Sequence, residues 1–211
     1  MRIRGSVSLV GITAGLLVMG GCTASTAPSG PGGLPQPSST EELTGQAVVL
    51  EKDGEEPKVC FGLIEASLPP QCGGPAVTGW DWATAKESES AAGVTWGIYA
   101  VTGIYDGGGF TVTQPPIPVS RDDPYARQDP RVDGEAGTSS AAELERYQEE
   151  MASYFPSGVP DWSEITLLGS GVYNGYLVID VIYDDGSVQR FFDEQWGEGT
   201  TIVQSALWKA T

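Results

Sequence analysis

The segment Gly93 to Tyr105 constrains the fold of this chain more than any other. It reads as one long strand with apolar residues on both of its faces. A strand that is apolar on both sides needs cover on both sides, which a solvent-facing hairpin cannot supply. Gly97 and Gly103 interrupt it and predict bends or bulges. Asp106-Gly107-Gly108-Gly109 then turns the chain into Phe110-Thr111-Val112-Thr113, the pattern of a β-hairpin with a glycine-rich loop. Upstream, Gly45 to Glu51 carries the apolar triplet Val48-Val49-Leu50. Asp53-Gly54 marks a turn, and Lys58 to Gly62 reads as a short strand. Many short, bent strands in residues 44–118 predict a small β-rich unit, with an OB-like barrel as the candidate closure.

Residues 138–211 read differently. Ser139 or Ser140 can cap a helix, with Glu143 placed for a capping box. Leu144, Tyr147, Met151 and Tyr154 form one apolar stripe at helical spacing, and Pro156 stops the run. Ile165 to Leu168 and Tyr176 to Tyr183 are predicted strands, with Leu177, Ile179, Val181 and Tyr183 on one face. Asp185-Gly186 fits a hairpin turn. However, Val188, Phe191 and Phe192 at i, i+3 and i+4, with Ser187 as N-cap, favour a short helix before Gly197. Thr200 to Trp208 closes the unit. The order α-β-β-α-β predicts a two-layer α+β fold with helices over one face of a mixed sheet. Residues 119–137 are read as a polar, proline-containing linker.

Residues 1–21 have the form of an export signal. Arg2 and Arg4 precede an apolar run, Val7 to Met19, that is too short and glycine-rich for a good membrane span. The run ends in Leu17-Val18-Met19-Gly20-Gly21-Cys22, which resembles a bacterial lipoprotein lipobox with Met19 in place of the usual Leu. Cys22 is the expected lipidation site and mature N-terminus. Residues 22–43 read as a tether: thirteen of the seventeen residues from Ala24 to Thr40 are Pro, Gly, Ser or Thr. Such a segment is expected to be disordered, with a reach on the order of 25 Å. Cysteine parity agrees with lipidation. Of three cysteines, Cys60 and Cys72 remain. Outside the cytoplasm they are expected to form a disulfide, structural rather than redox-active because the spacing is not C-x-x-C.

Charge and composition limit function. The chain has 28 acidic and 11 basic side chains, a net of −17, and no histidine. Loss of Arg2 and Arg4 with the leader makes the mature body about −19. Such a surface repels nucleic-acid phosphates and anionic lipid, so the expected partners exclude nucleic acid, and membrane attachment falls to the lipid on Cys22. Without histidine, Ser-His-Asp and Cys-His catalysis and histidine-ligated zinc are impossible. No cofactor and no metal site are expected.

One segment series resembles a known group. Val59-Cys60-Phe61-Gly62, Leu68-Pro69-Pro70-Gln71-Cys72-Gly73-Gly74-Pro75 and Gly79-Trp80-Asp81-Trp82 are followed by Trp96-Gly97-Ile98-Tyr99 and Val101-Thr102-Gly103. Asp185-Gly186-Ser187-Val188-Gln189 and Trp196-Gly197 complete it. Together they are similar to uncharacterised lipoproteins of high-GC Gram-positive (actinobacterial) bacteria. The resemblance implies an extracytoplasmic location and the unit boundaries above, and brings no catalytic residues.

The possible ligand-binding residues are Trp80, Asp81 and Trp82. In a strand the two indoles share a face and can stack on sugar rings, or they can pack as core. Asp81, Asp106, Glu164 and Asp180 are carboxylates flanked by aromatic or apolar residues, and a correctly separated pair can hydrolyse glycosides. Asp106 is simplest as turn chemistry and Asp180 as a solvent-facing strand residue. Asp122-Asp123 and Asp184-Asp185 lack a calcium-loop pattern, and Glu149-Glu150 reads as a solubilising helix face. The expectation is a non-enzymatic, membrane-anchored lipoprotein that serves as a binding or structural module of the cell envelope, with envelope proteins or wall glycans as partners. The alternative is a carboxylate-dependent hydrolase or binder of cell-wall glycans that uses the Trp80-Asp81-Trp82 region.

Overall fold

A computed structural model describes residues 33–62, 67–120, 128–154 and 167–210. The leader, Cys22, Asp122-Asp123, Pro156, Glu164 and Ile165 lie outside these. Among the described residues the fold is α+β, with a closed five-stranded barrel, two α-helices and one disulfide.

The barrel strands are β1 (Leu43–Lys52), β2 (Lys58–Cys60), β3 (Ala76–Thr78), β5 (Val94–Tyr105) and β6 (Gly109–Val112). They pair in the order β1-β2-β3-β6-β5, and β5 returns to β1 to close the ring. The β3–β6 pair is parallel and the other four are antiparallel. Strands β4 (Glu89–Ala91) and β7 (Ile117–Pro118) extend the sheet from β5.

The seam between β1 and β5 explains the doubly apolar sequence. Leu43, Ala47 and Val49 of β1 face Tyr99, Val101 and Tyr105 of β5 inside the barrel, together with Phe110. On the outer face Val48, Cys60 and Trp96 form a second apolar cluster against the Cys60–Cys72 disulfide. Both faces of β5 are therefore covered, one by the barrel and one by the stapled loop.

The glycines of β5 do not bulge. The ladder runs without a shift from Leu43↔Gly103 to Lys52↔Val94. Instead the glycines leave room for rings lying along the inner wall. A Cβ on Gly97 would sit 2.6 Å from the Tyr99 ring, and one on Gly103 would sit 2.9 Å from the Phe110 ring. The predicted bends are dimples in a regular strand.

The second unit contains α1 (Ala141–Met151), β8 (Leu167–Tyr173), β9 (Tyr176–Val181), α2 (Ser187–Trp196) and β10 (Thr201–Ser205). Ser140 caps α1 in a reciprocal box with Glu143, as the spacing predicts. Strands β8 and β9 form a hairpin through Asn174-Gly175, both at positive φ, the turn that matches strand twist. Strand β10 runs parallel to β9 after crossing through α2. Leu144, Met151, Leu177, Ile179, Val181, Val188 and Phe192 fill the core between helices and sheet.

Three boundaries differ from the sequence reading, for one reason: the two units exchange their ends. First, the tether 22–43 does not stay free to residue 43. Leu34 is 3% exposed within the core of the second unit, the Ser39 N–H donates to the Tyr105 carbonyl at 2.8 Å, and β1 already begins at Leu43. Second, the linker 119–137 is packed over its last part. Val132 is buried with Val178 and Ile202 on the face of the sheet opposite the helices, and Asn174 Nδ2 donates to the carbonyls of Val132 and Gly134. Third, residues 138–211 do not form a closed unit. Ile182, Tyr183 and Leu207 join the barrel core, and β11 (Trp208–Lys209) pairs with β1. Thr200 to Trp208 is thus two strands in two sheets, and Tyr183 leaves the face of Leu177, Ile179 and Val181. A buried apolar side chain goes where a core has space for it, and neither hydropathy nor periodicity specifies which core.

Residues 187–196 are a helix, but Ser187 is not its cap. The cap position falls on Gly186, and the side-chain acceptor for the helix N-terminus comes from Asp184. Its Oδ1 accepts from the N–H groups of Gly186 and Val188, each at 2.9 Å, and its Oδ2 accepts from Gln189 at 3.4 Å.

Candidate functional site

The barrel is stoppered at one end by the segment after β3. Trp80-Asp81-Trp82 is not a strand there. Asp81 accepts the Ala83 N–H on Oδ1 at 2.9 Å, while its carbonyl accepts the N–H groups of Thr84 and Ala85. Asp81 is thus the cap of a single helical turn, and Ala85 at its end is buried in the barrel core. The turn sets Trp80 and Trp82 edge to face, their ring centroids 5.2 Å apart, and Trp80 also lies 5.1 Å from the Tyr99 ring. Both indoles are half-buried and Asp81 is exposed. The side chains expected to act together are therefore separated: the indoles face the barrel and the carboxylate serves its own turn.

Two residues not singled out from the sequence complete this end. Tyr99 is fully buried beneath the indoles. Glu51, at the last inward position of β1, accepts the Trp82 Nε1–H at 2.9 Å. Trp80 Nε1 and Tyr99 Oη are buried and have no hydrogen-bond partner. Burial, together with the negative charge of Glu87, pushes the Tyr99 hydroxyl above its ordinary pKa, so it stays a proton donor. Buried donors without acceptors are uncommon in folded proteins. Among the described residues the one other buried side-chain atom without a partner is an acceptor, Gln46 Oε1, so the two unpaired donors single this end out. The spacing Gly97-x-Tyr99 was the one available sequence signal, because a glycine two residues before an inward tyrosine leaves space for its ring.

A cleft of about 580 Å³ lies where the two units meet, lined by Tyr183, Asp184, Asp185, Ser205, Trp208 and Lys209 with the strap Ser38–Glu41. Its charges are engaged within the protein. Asp184 caps α2, the Asp185 carboxylate accepts the Ser187 N–H at 3.0 Å, and Lys209 pairs with Glu41. Burial pushes the Asp184 carboxyl up, and its backbone hydrogen bonds pull it partly back.

The remaining carboxylates are dispersed. Asp106 accepts the N–H groups of Gly108 and Gly109 and shapes its turn. Asp180 is half-buried in β9 rather than solvent-facing. It accepts Gln204 Nε2 at 2.9 Å, and burial pushes its carboxyl up. Glu150 is not merely a solubilising group. It pairs with Arg146 at 3.0 Å and accepts Trp196 Nε1 at 3.0 Å, which ties α1 to the end of α2. Among the described residues no group of three or more acidic or cysteine side chains is placed to hold a metal ion, and no helix is long and apolar enough to cross a membrane.

Compared with protein-family models, curated proteins and solved structures, the chain matches none.

Proposed function

We propose that the protein is an extracytoplasmic lipoprotein, anchored to the cell membrane through Cys22, and that its folded body is a non-enzymatic binding or structural module of the cell envelope, as in the actinobacterial lipoproteins its motifs resemble. The observation that carries this reading is Leu17-Val18-Met19-Gly20-Gly21-Cys22 after a short basic, apolar leader. The mature charge of about −19 supports it, because a body that acidic gains nothing from an anionic bilayer and needs the acyl chains. We also read the barrel as OB type. Taken in chain order, its five closed strands lie first-second-third-fifth-fourth, with the third and fifth parallel.

The alternative, a carboxylate-dependent hydrolase of wall glycans, draws little support from the residues proposed for it. Asp81 caps its own turn, Asp106 shapes a hairpin, and Asp180 lies in the other unit. A glycosidase needs two carboxyl groups about 5–10 Å apart across the scissile bond. The glycan-binding half of the alternative keeps its two indoles.

Cys22→Ser tests the anchor. Wild-type protein should incorporate labelled palmitate and partition into the membrane fraction, and the variant should do neither. Unchanged membrane partitioning of a cleaved Cys22→Ser chain would refute lipidation as the means of attachment.

A further inference from the structure

We propose that the stoppered end of the barrel is a subsite for a neutral pyranose, in which Trp80 Nε1 and Tyr99 Oη donate hydrogen bonds to sugar oxygens and Trp82 forms the movable wall. This deepens the binding-module reading and replaces Asp81 in the site with Tyr99 and Glu51.

The argument begins from the two unpaired groups. Trp80 Nε1 and Tyr99 Oη are both buried and both lack a partner, within rings whose centroids are 5.1 Å apart. The indole N–H can only donate, and the buried phenol keeps its proton, so both need an acceptor. That chemistry selects among ligand classes. A cation carries no acceptor. An anion carries acceptors but meets Glu51 beside Trp82 and the field of Glu87, on a body of large net negative charge. A neutral ligand rich in hydroxyl or carbonyl oxygens is left.

Two further features favour a sugar ring among such ligands. Trp80 and Trp82 are half-buried, so each keeps part of an apolar surface toward solvent against which the C–H face of a pyranose can lie. Glu51 adds an acceptor. Its one hydrogen bond to the stopper is the 2.9 Å contact from Trp82 Nε1, and once Trp82 swings aside a sugar hydroxyl can donate to the same oxygen. Tyr99 itself is 0% exposed, so entry requires that movement.

The test uses the mature chain carrying Cys22→Ser, which removes the lipid and makes the result independent of anchoring. Chitotriose and cellotriose are the probes, titrated by tryptophan emission and by calorimetry. The expected result is saturable binding of at least one of them, weakened at least tenfold by Tyr99→Phe and by Trp82→Ala, and unchanged by Trp208→Phe in the distant cleft. Tyr99→Phe deletes only the orphaned hydroxyl, so it should fold and melt no lower than wild type. Its loss of binding is then not a loss of structure. Absence of saturable binding of either sugar at millimolar concentration would overturn the proposal. So would equal affinity of wild type and Tyr99→Phe, which would assign the two donors to a buried water.

Discussion

Gln189 offers the most direct test of how the second unit is held together. Strand β10 is the edge of its sheet, and an uncovered edge presents unpaired N–H and C=O groups to any passing strand. Gln189 reaches from α2 across that edge. Its Oε1 accepts the Val203 N–H at 2.9 Å, and its Nε2 donates to the Thr201 carbonyl at 3.2 Å, the Thr201 hydroxyl at 3.2 Å and Asp193 Oδ1 at 3.0 Å. Arg131 covers the Val203 carbonyl at 3.2 Å and also donates to Gln189 Oε1 at 3.1 Å. One side chain thus satisfies the edge at two successive outward positions. Each part-buried bond contributes about 1 kcal/mol net, but water reaches the vacated edge and the four bonds are not additive. Alanine regains a few tenths of a kcal/mol in helix propensity. Gln189→Ala should therefore cost about 2 kcal/mol, read as a lower urea midpoint at constant m-value. It should also expose the β10 edge, seen by sedimentation as concentration-dependent self-association beyond that of wild type. A variant that unfolds within about 0.5 kcal/mol of wild type and does not self-associate would refute the reasoning.

Other outcomes follow from the exchanged ends, the disulfide and the buried acids. Leu34→Ala should destabilise the protein by about 2–5 kcal/mol in chemical denaturation, a cost no disordered tether residue can have. Replacing Cys60 and Cys72 together by Ser should cost roughly 3 kcal/mol in the same assay, because the two cysteines are only 12 residues apart and close a short loop. Burial pushes the Asp180 carboxyl up, so its contribution to stability is fully present below the ordinary aspartate pKa and is lost as pH rises through the raised one. Asp180→Asn should accordingly gain stability relative to wild type when unfolding is measured above about pH 4, and should lose that advantage in acid. Asp184→Ala should cost about 1–2 kcal/mol through loss of the α2 cap, with Asp184→Asn retaining most of it, both read from thermal unfolding.

The candidate site was only partly legible. Trp80 and Trp82 stood out because paired indoles are conspicuous wherever they occur. Asp81 was grouped with them as their neighbour in a strand, whereas an aspartate followed, after one tryptophan, by Ala83-Thr84-Ala85-Lys86 caps a turn equally well. Tyr99 and Glu51 could not be found, since each is an ordinary strand residue until closure of the barrel brings it beneath the indoles. The Asp185-Gly186-Ser187-Val188-Gln189 block was visible as a motif. Its work, a cap from Asp184 just before it and an edge cover from Gln189 at its end, depends on where β10 lies.

Local chemistry in the sequence was enough to determine the capping box at Ser140, the hairpin at Asp106 and the doubly covered strand β5, and to favour the helix at Ser187–Trp196 over a hairpin. These depend on residues within a turn or on a repeating face, so neighbours in sequence decide them. Tertiary structure decided what distant residues share. It closed β1 on β5, laid Tyr99 over Gly97, and sent Leu34 into one core and Leu207 into the other. Apolar burial has no direction and no address in the chain. A hydrophobic residue near either end satisfies it in whichever core has room, and only the folded molecule says which.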